Sequence, residues 1–176
     1  MKLFFYEADE NTLASEWAVE LRRILSKAGL GAIDIAPVDE ELAVAFNQWD
    51  GITDINSLVY HYVDDHNLDY IPLVLVTSNE GSKYHAYSKQ EVGVADWGCW
   101  LAGPISVAYS TPSASLATQL HETLHLFNVD DCYDKDNQCL PKAQCADENC
   151  VMRYGKVSNQ VCSSVLAQLR ALSSNI

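Results

Sequence analysis

Basic residues are scarce in this chain: 11 Lys and Arg stand against 24 Asp and Glu, a formal net charge of -13. Such a surface repels polyanions over most approaches, so neither nucleic acid nor an anionic membrane is expected as a partner. A well-solvated acidic exterior accounts for the imbalance, and basic substrates are compatible with it. Long apolar runs are also missing, so no membrane-spanning segment is expected. Residues 1–6 are too short for the apolar region of a secretory signal and soon meet Glu7, Asp9 and Glu10. They read as a first strand, which leaves the chain either cytoplasmic or already trimmed. No internal repeat or low-complexity run is present.

What the chain does have is apolar content. At 176 residues, 48% of them hydrophobic, it is long enough for one domain with a real core and short for two. Residues 12–28 predict an amphipathic helix, with Leu13, Trp17, Leu21, Ile24, Leu25 and Ala28 on one face and Gly29 and Gly31 closing it. A strand is expected at 32–36, helices at 39–47 and 53–66, a buried strand at 71–77, an alternating strand at 83–88 and a last strand at 104–110. Residues 91–102 read as irregular and aromatic. A C-terminal helix carries Val161, Val165, Leu166, Leu169 and Leu172, capped by Ser158. The order of elements predicts a mixed sheet flanked by helices. His61, His66 and His85 have no partner motif and read as surface or packing histidines.

The stretch that carries chemistry is His121-Glu122-Thr123-Leu124-His125, continuing to Asp131. Residues 112–127 predict a helix, since Leu116, Leu120, Leu124 and Phe127 recur at intervals of three or four and no proline interrupts them. His121 and His125 are four apart, so they lie on one face with Cβ atoms roughly 5–6 Å from each other. Two imidazoles so placed can share one zinc at about 2.0–2.1 Å. Glu122, beside the first histidine, is placed to take a proton from a water without itself ligating the metal. A third ligand must return from downstream, and Asp131 is the natural one. The helix must end between His125 and Asp131, and Asn128 sits where a left-handed residue would turn the chain.

HETLHLFNVDD resembles the HExxHxxGxxH signature of the metzincin zinc peptidases, with Asn128 in the glycine position and Asp131 in that of the third histidine. Snapalysin-type members use aspartate there. Metzincins also carry a methionine in a tight turn beneath the metal, and Cys150-Val151-Met152-Arg153-Tyr154-Gly155 resembles that turn. Tyr154 matches a tyrosine that astacins and serralysins place near the zinc, where it can stabilise an oxyanion. The resemblance covers about residues 100–172 and implies an α+β, metzincin-like domain. Its twisted mixed sheet would carry an antiparallel edge strand, flanked by helices and followed by the zinc helix, the methionine turn and a C-terminal helix. Residues 1–127 would form the upper part of this single catalytic domain and residues 128–176 the lower part, with a cleft between. A bound peptide would add itself to the edge strand. The resemblance further implies one catalytic zinc and a peptide or protein substrate, and a monomer is expected. No propeptide cysteine motif of the kind that caps some metzincins is visible.

Six cysteines pose a second question. Cys132, Cys139, Cys145 and Cys150 fall between Asp131 and Met152, while Cys99 and Cys162 lie outside. An even count permits full pairing in disulfides, the favoured reading, which would point to a secreted or extracytoplasmic protein. A second, structural zinc bound by thiolates is the alternative for a reducing compartment. Archaemetzincins resemble this chain in having a cysteine just after the third ligand and another two before the methionine, matched by Cys132 and Cys150. Their later Cys-x-x-Cys pair is not matched, because Cys162 is followed by Ser163, Ser164 and Val165. The activity this predicts is zinc-dependent peptide hydrolysis. The competing reading is a non-catalytic, zinc-stabilised binding module, which has no need of Glu122.

Overall fold

The first and third strands each carry an unbroken apolar run, Leu3 to Tyr6 and Leu73 to Val76, and those runs set the architecture. The computed structural model describes residues 2–8, 14–31, 33–79, 82–84, 99–102, 104–110, 116–132, 149–152 and 159–173. Strands β1 (Lys2–Glu7), β2 (Asp34–Pro37), β3 (Leu73–Asn79), β4 (Cys99–Ala102) and β5 (Ile105–Ser110) form one five-stranded sheet in the order β2-β1-β3-β5-β4. β1 pairs in parallel with β2 and β3, and β3 in parallel with β5; β4 pairs antiparallel with β5, Cys99 opposite Ala108 and Ala102 opposite Ile105.

Successive strand residues point to opposite faces. Leu3, Phe5, Leu73 and Leu75 accordingly join a core with α1 (Ala14–Lys27), the motif helix (Leu116–Leu126) and the C-terminal helix (Ser163–Ser173). Phe4, Tyr6, Val74 and Val76 join a second core with α2 (Glu40–Gln48) and α3 (Asn56–Asp65). Apolar residues on both faces are what a parallel sheet needs, since its crossover helices cover both sides. The first core also takes in Phe127, Val129, Cys132, Cys150, Val151, Met152 and Cys162. The chain that follows the motif helix is thereby packed against α1.

Two helix ends follow from single residues. α1 stops where Gly29 adopts φ +82° and the Leu30 N–H returns to the Leu25 carbonyl over 2.8 Å, a conformation glycine enters without steric cost. α2 starts at Asp39, whose carboxylate accepts the Leu42 N–H over 3.0 Å.

The strand expected at 83–88 is not formed where it can be seen. Lys83 and Tyr84 are helical, and residues 85–88 lie outside the described residues. The Tyr84 hydroxyl donates to the Phe46 carbonyl over 2.8 Å, and its ring stacks on Trp49 with centroids 5.0 Å apart. The Lys83 ammonium donates to the carbonyls of Phe46, Asn47 and Trp49 over 3.1, 2.7 and 2.7 Å. These contacts satisfy the open carbonyls at the end of α2 and outweigh the local alternation. Of the stretch read as irregular, residues 99–102 form β4 and residues 91–98 lie outside the described residues. His66 lies at the end of α3, with its Nε2 3.5 Å from Glu41, away from any metal-type cluster. No helix among the described residues is long and apolar enough to cross a membrane.

Candidate metal centre

The motif helix packs on β3, β4, β5 and α1, and this fixes which of its faces stays open. Ala117, Leu120, Thr123 and Leu124 are buried beneath it, with Thr123 fully so. The Thr123 hydroxyl accepts the Trp17 indole N–H over 3.0 Å and donates to the Gln119 carbonyl over 2.6 Å. With that side held, His121 and His125 keep 14% and 19% of their side-chain surface exposed. Their rings meet edge to face, Nε2 to Nε2 at 3.1 Å.

The helix ends as Asn128 predicts. Its φ is +57°, the left-handed region, and the N–H groups of Phe127, Asn128 and Val129 return to the carbonyls of Leu124, His125 and Leu124. The reversal brings Asp131 back over the histidines. Its Oδ1 lies 3.1 Å from His121 Nε2 and 3.3 Å from His125 Nε2.

The other ring nitrogens define the chemistry of this triangle. His121 Nδ1 is 2.9 Å from the Val151 carbonyl, and His125 Nδ1 is 2.8 Å from the Val129 carbonyl. A carbonyl only accepts, so each Nδ1 carries a proton and donates it. In the neutral rings both Nε2 atoms are then bare lone pairs. They face Asp131 Oδ1, which is buried and has no hydrogen-bond partner. Three acceptors crowded together repel one another unless a cation lies among them.

A tetrahedral zinc with ligands at about 2.0–2.1 Å separates those ligands by about 3.3 Å. The three observed separations match, so the residues fit zinc. Protons are the other cation that satisfies the triangle. Burial opposes charging His121, but the Asp131 carboxylate, the Glu122 charge and the Val151 carbonyl outweigh it and raise its pKa to about 9. His125 is likewise raised against burial, chiefly by Asp131. Asp131 is held far below the usual carboxylate range, the two imidazoles overcoming its burial. Glu122 Oε1 stands 3.7 Å from His121 Nε2, in a side chain only 5% exposed.

Three further ligand-type side chains lie in the adjoining core. Cys132, Cys150 and Cys162 are buried, and their sulfurs lie within 4.8 Å of one another. The Cys132 and Cys150 sulfurs are 4.0 Å apart, where a disulfide needs about 2.05 Å. The disulfides favoured on cysteine count are therefore not found among the described cysteines. A separation near 4 Å instead suits two thiolates on one zinc, whose Zn–S distances of about 2.3 Å place sulfurs about 3.8 Å apart. Hydrogen bonding from the Cys132 thiol, against burial, and from the Cys162 and Met152 N–H groups pulls the Cys150 thiol down to about 5.

The cluster joins Cys162 to Cys132 and Cys150, although the sequence sets Cys162 apart. Met152 is fully buried, and its carbonyl accepts the Cys132 N–H over 2.8 Å. Cys139, Cys145, Tyr154 and Ser158 lie outside the described residues, as does His85; of Cys99 only the backbone, on β4, is described.

Comparison with known proteins agrees on the fold. The chain folds like an archaemetzincin. The crystal structure of archaemetzincin from Methanopyrus kandleri superposes with a TM-score of 0.50 over 99% of this chain and 96% of that one, at 16% sequence identity. No protein-family model matches the sequence, and no curated protein matches it either. At that identity the likeness to the archaemetzincin concerns the fold.

Sequence reasoning missed the carbonyls of Val129 and Val151, which orient the two rings. No side-chain signal could have found them, because every residue carries a carbonyl. It also missed the Trp17 to Thr123 hydrogen bond, which spans 106 positions.

Proposed function

We propose that this protein is a zinc-dependent peptidase. The observation that carries the reading is the orphaned Asp131 Oδ1, facing two imidazoles whose protons are committed elsewhere, with a buried glutamate beside them. The archaemetzincin-like fold supports it at the level of the family.

In this reading His121, His125 and Asp131 hold the zinc. When bound, the metal supplies Lewis acidity, polarising the scissile carbonyl and making a water acidic near neutral pH. Glu122 accepts the proton of the attacking water and delivers it to the leaving amine. Its burial keeps competing solvent away from that carboxylate. Tyr154 is assigned as hydrogen-bond donor to the oxyanion, a contribution of about 10²–10³ in rate where such donors have been removed. Met152 supports the site from below, and Asn128 supplies the turn that returns Asp131. Residues 1–127 and 128–176 form the two sides of the cleft, with a peptide or protein as substrate and a monomer as the working form. The buried thiols of Cys132, Cys150 and Cys162 hold a second, structural zinc.

The test pairs native and denaturing mass determination with a peptide-library cleavage assay. Zinc in the native protein, cleavage by the wild type, and zinc without cleavage in Glu122→Ala are expected. Zinc bound by the wild type with no cleavage of any library would favour a zinc-stabilised binding module instead. Equal cleavage by Glu122→Ala would remove Glu122 as the base.

A further inference from the structure

The segment that returns Asp131 to the two histidines is short, and its backbone donors are committed one after another. The N–H groups of Phe127, Asn128 and Val129 close the motif helix, and the Cys132 N–H goes to the Met152 carbonyl over 2.8 Å. The remaining flank of Asp131 is held differently. The Asp130 N–H donates over 2.9 Å to Oε1 of Gln168, a side chain on the C-terminal helix, 38 positions downstream. Gln168 sits between Val165 and Leu169, both fully buried in the core shared with α1 and the motif helix. The helix that offers this oxygen is therefore anchored in the core, while the hydrogen bond itself lies at the surface.

We propose that Gln168 is a positioning residue for the third metal ligand, fixing the peptide before Asp131 so that its carboxylate oxygen meets the two imidazoles. This rests on the metal site proposed above and deepens it. Asp131 reaches the triangle only because the chain reverses at Asn128 and is then held on both sides, by Gln168 at Asp130 and by Met152 at Cys132. The Met152 clamp is backbone to backbone and does not depend on the Met152 side chain. The Gln168 clamp is a side chain and can be removed without deleting any backbone group. Gln168 bonds the peptide that precedes Asp131, so its effect acts through the placement of Asp131.

The test measures zinc affinity by chelator competition, and the d–d spectrum of cobalt in the same site, in the full chain and two variants. Gln168→Met keeps the length and packing of the side chain and lacks the acceptor. Gln168→Glu keeps an oxygen acceptor at the same reach. Loss of one hydrogen bond of this kind should weaken zinc by roughly three- to tenfold in Gln168→Met. The cobalt bands should shift, and Gln168→Glu should restore both affinity and spectrum toward wild type. A purely structural role would lower the melting temperature of the metal-free protein and leave the cobalt bands in place. Zinc bound by wild type and Gln168→Met with equal affinity and identical cobalt spectra overturns the positioning role and leaves the metal site standing. A wild type that binds zinc no better than His121→Ala overturns both.

Discussion

Trp17 donates its indole N–H to the hydroxyl of Thr123 over 3.0 Å, joining α1 to the motif helix between Glu122 and His125. Both side chains are buried, Trp17 at 1% exposure and Thr123 at 0%. The bond therefore sets the rotation of the motif helix where water cannot substitute for either partner. Thr123→Val keeps the shape and leaves the indole N–H unsatisfied. The expected cost is about 1–3 kcal/mol of stability, read as a lowered midpoint in urea unfolding with unchanged m-value.

Asp131 supplies the single oxygen of the triangle, so its removal should act on metal rather than fold. Asp131→Ala should weaken zinc by more than the roughly 10–100-fold that outer-shell losses cost. Asp131→His should keep zinc and some activity, because an imidazole can fill the same corner. Equilibrium dialysis against zinc measures both, and unchanged zinc content in the alanine variant would falsify the ligand assignment.

Protons compete for the same triangle, which gives a pH dependence with a definite sign. His121 has a folded pKa raised to about 9, above its ordinary value of 6.5. In the metal-free protein its protonation therefore contributes stability that is fully present below pH 6.5 and lost as pH rises through 9. Zinc must displace that proton, so zinc affinity should climb between pH 6.5 and 9 and level off above it. Chelator competition at fixed ionic strength across this window checks the slope; a flat profile would contradict the shared site.

Asn128 holds φ at +57°, in the region that costs a side chain such as alanine roughly 1 kcal/mol. Asn128→Ala should lower stability by about that amount, and Asn128→Gly should be neutral or stabilising. If the turn matters for Asp131 as well, zinc affinity should fall in the alanine variant and hold in the glycine variant. Thermal unfolding with and without zinc separates the two effects.

The local part of the site was legible because a helix is a local structure. Four-residue spacing alone puts His121 and His125 on one face, and Asn128 is recognisable as a stop because few residues tolerate a left-handed backbone. The apolar run at 71–77 likewise marked a buried strand, which the structure places inside the sheet as β3. Lys83 and Tyr84 misled, since their side chains answer to the carbonyls at the end of α2, a demand that no window around residue 84 contains.

The sequence by itself determined the candidate ligand types, their order and the reversal that brings Asp131 back to the two histidines. Only the tertiary structure decided the tautomer of the two histidines, because the partners of their Nδ1 atoms are carbonyls of Val129 and Val151, the second 30 positions from its histidine. It also decided the cysteines. Counting them permits disulfides, but pairing depends on distance, and packing of the return segment against the start of the C-terminal helix buries Cys132, Cys150 and Cys162 together with their sulfurs too far apart for a disulfide. Chemistry encoded in spacing along one helix can be read from the chain; chemistry that arises where distant backbones meet exists only after the core has closed.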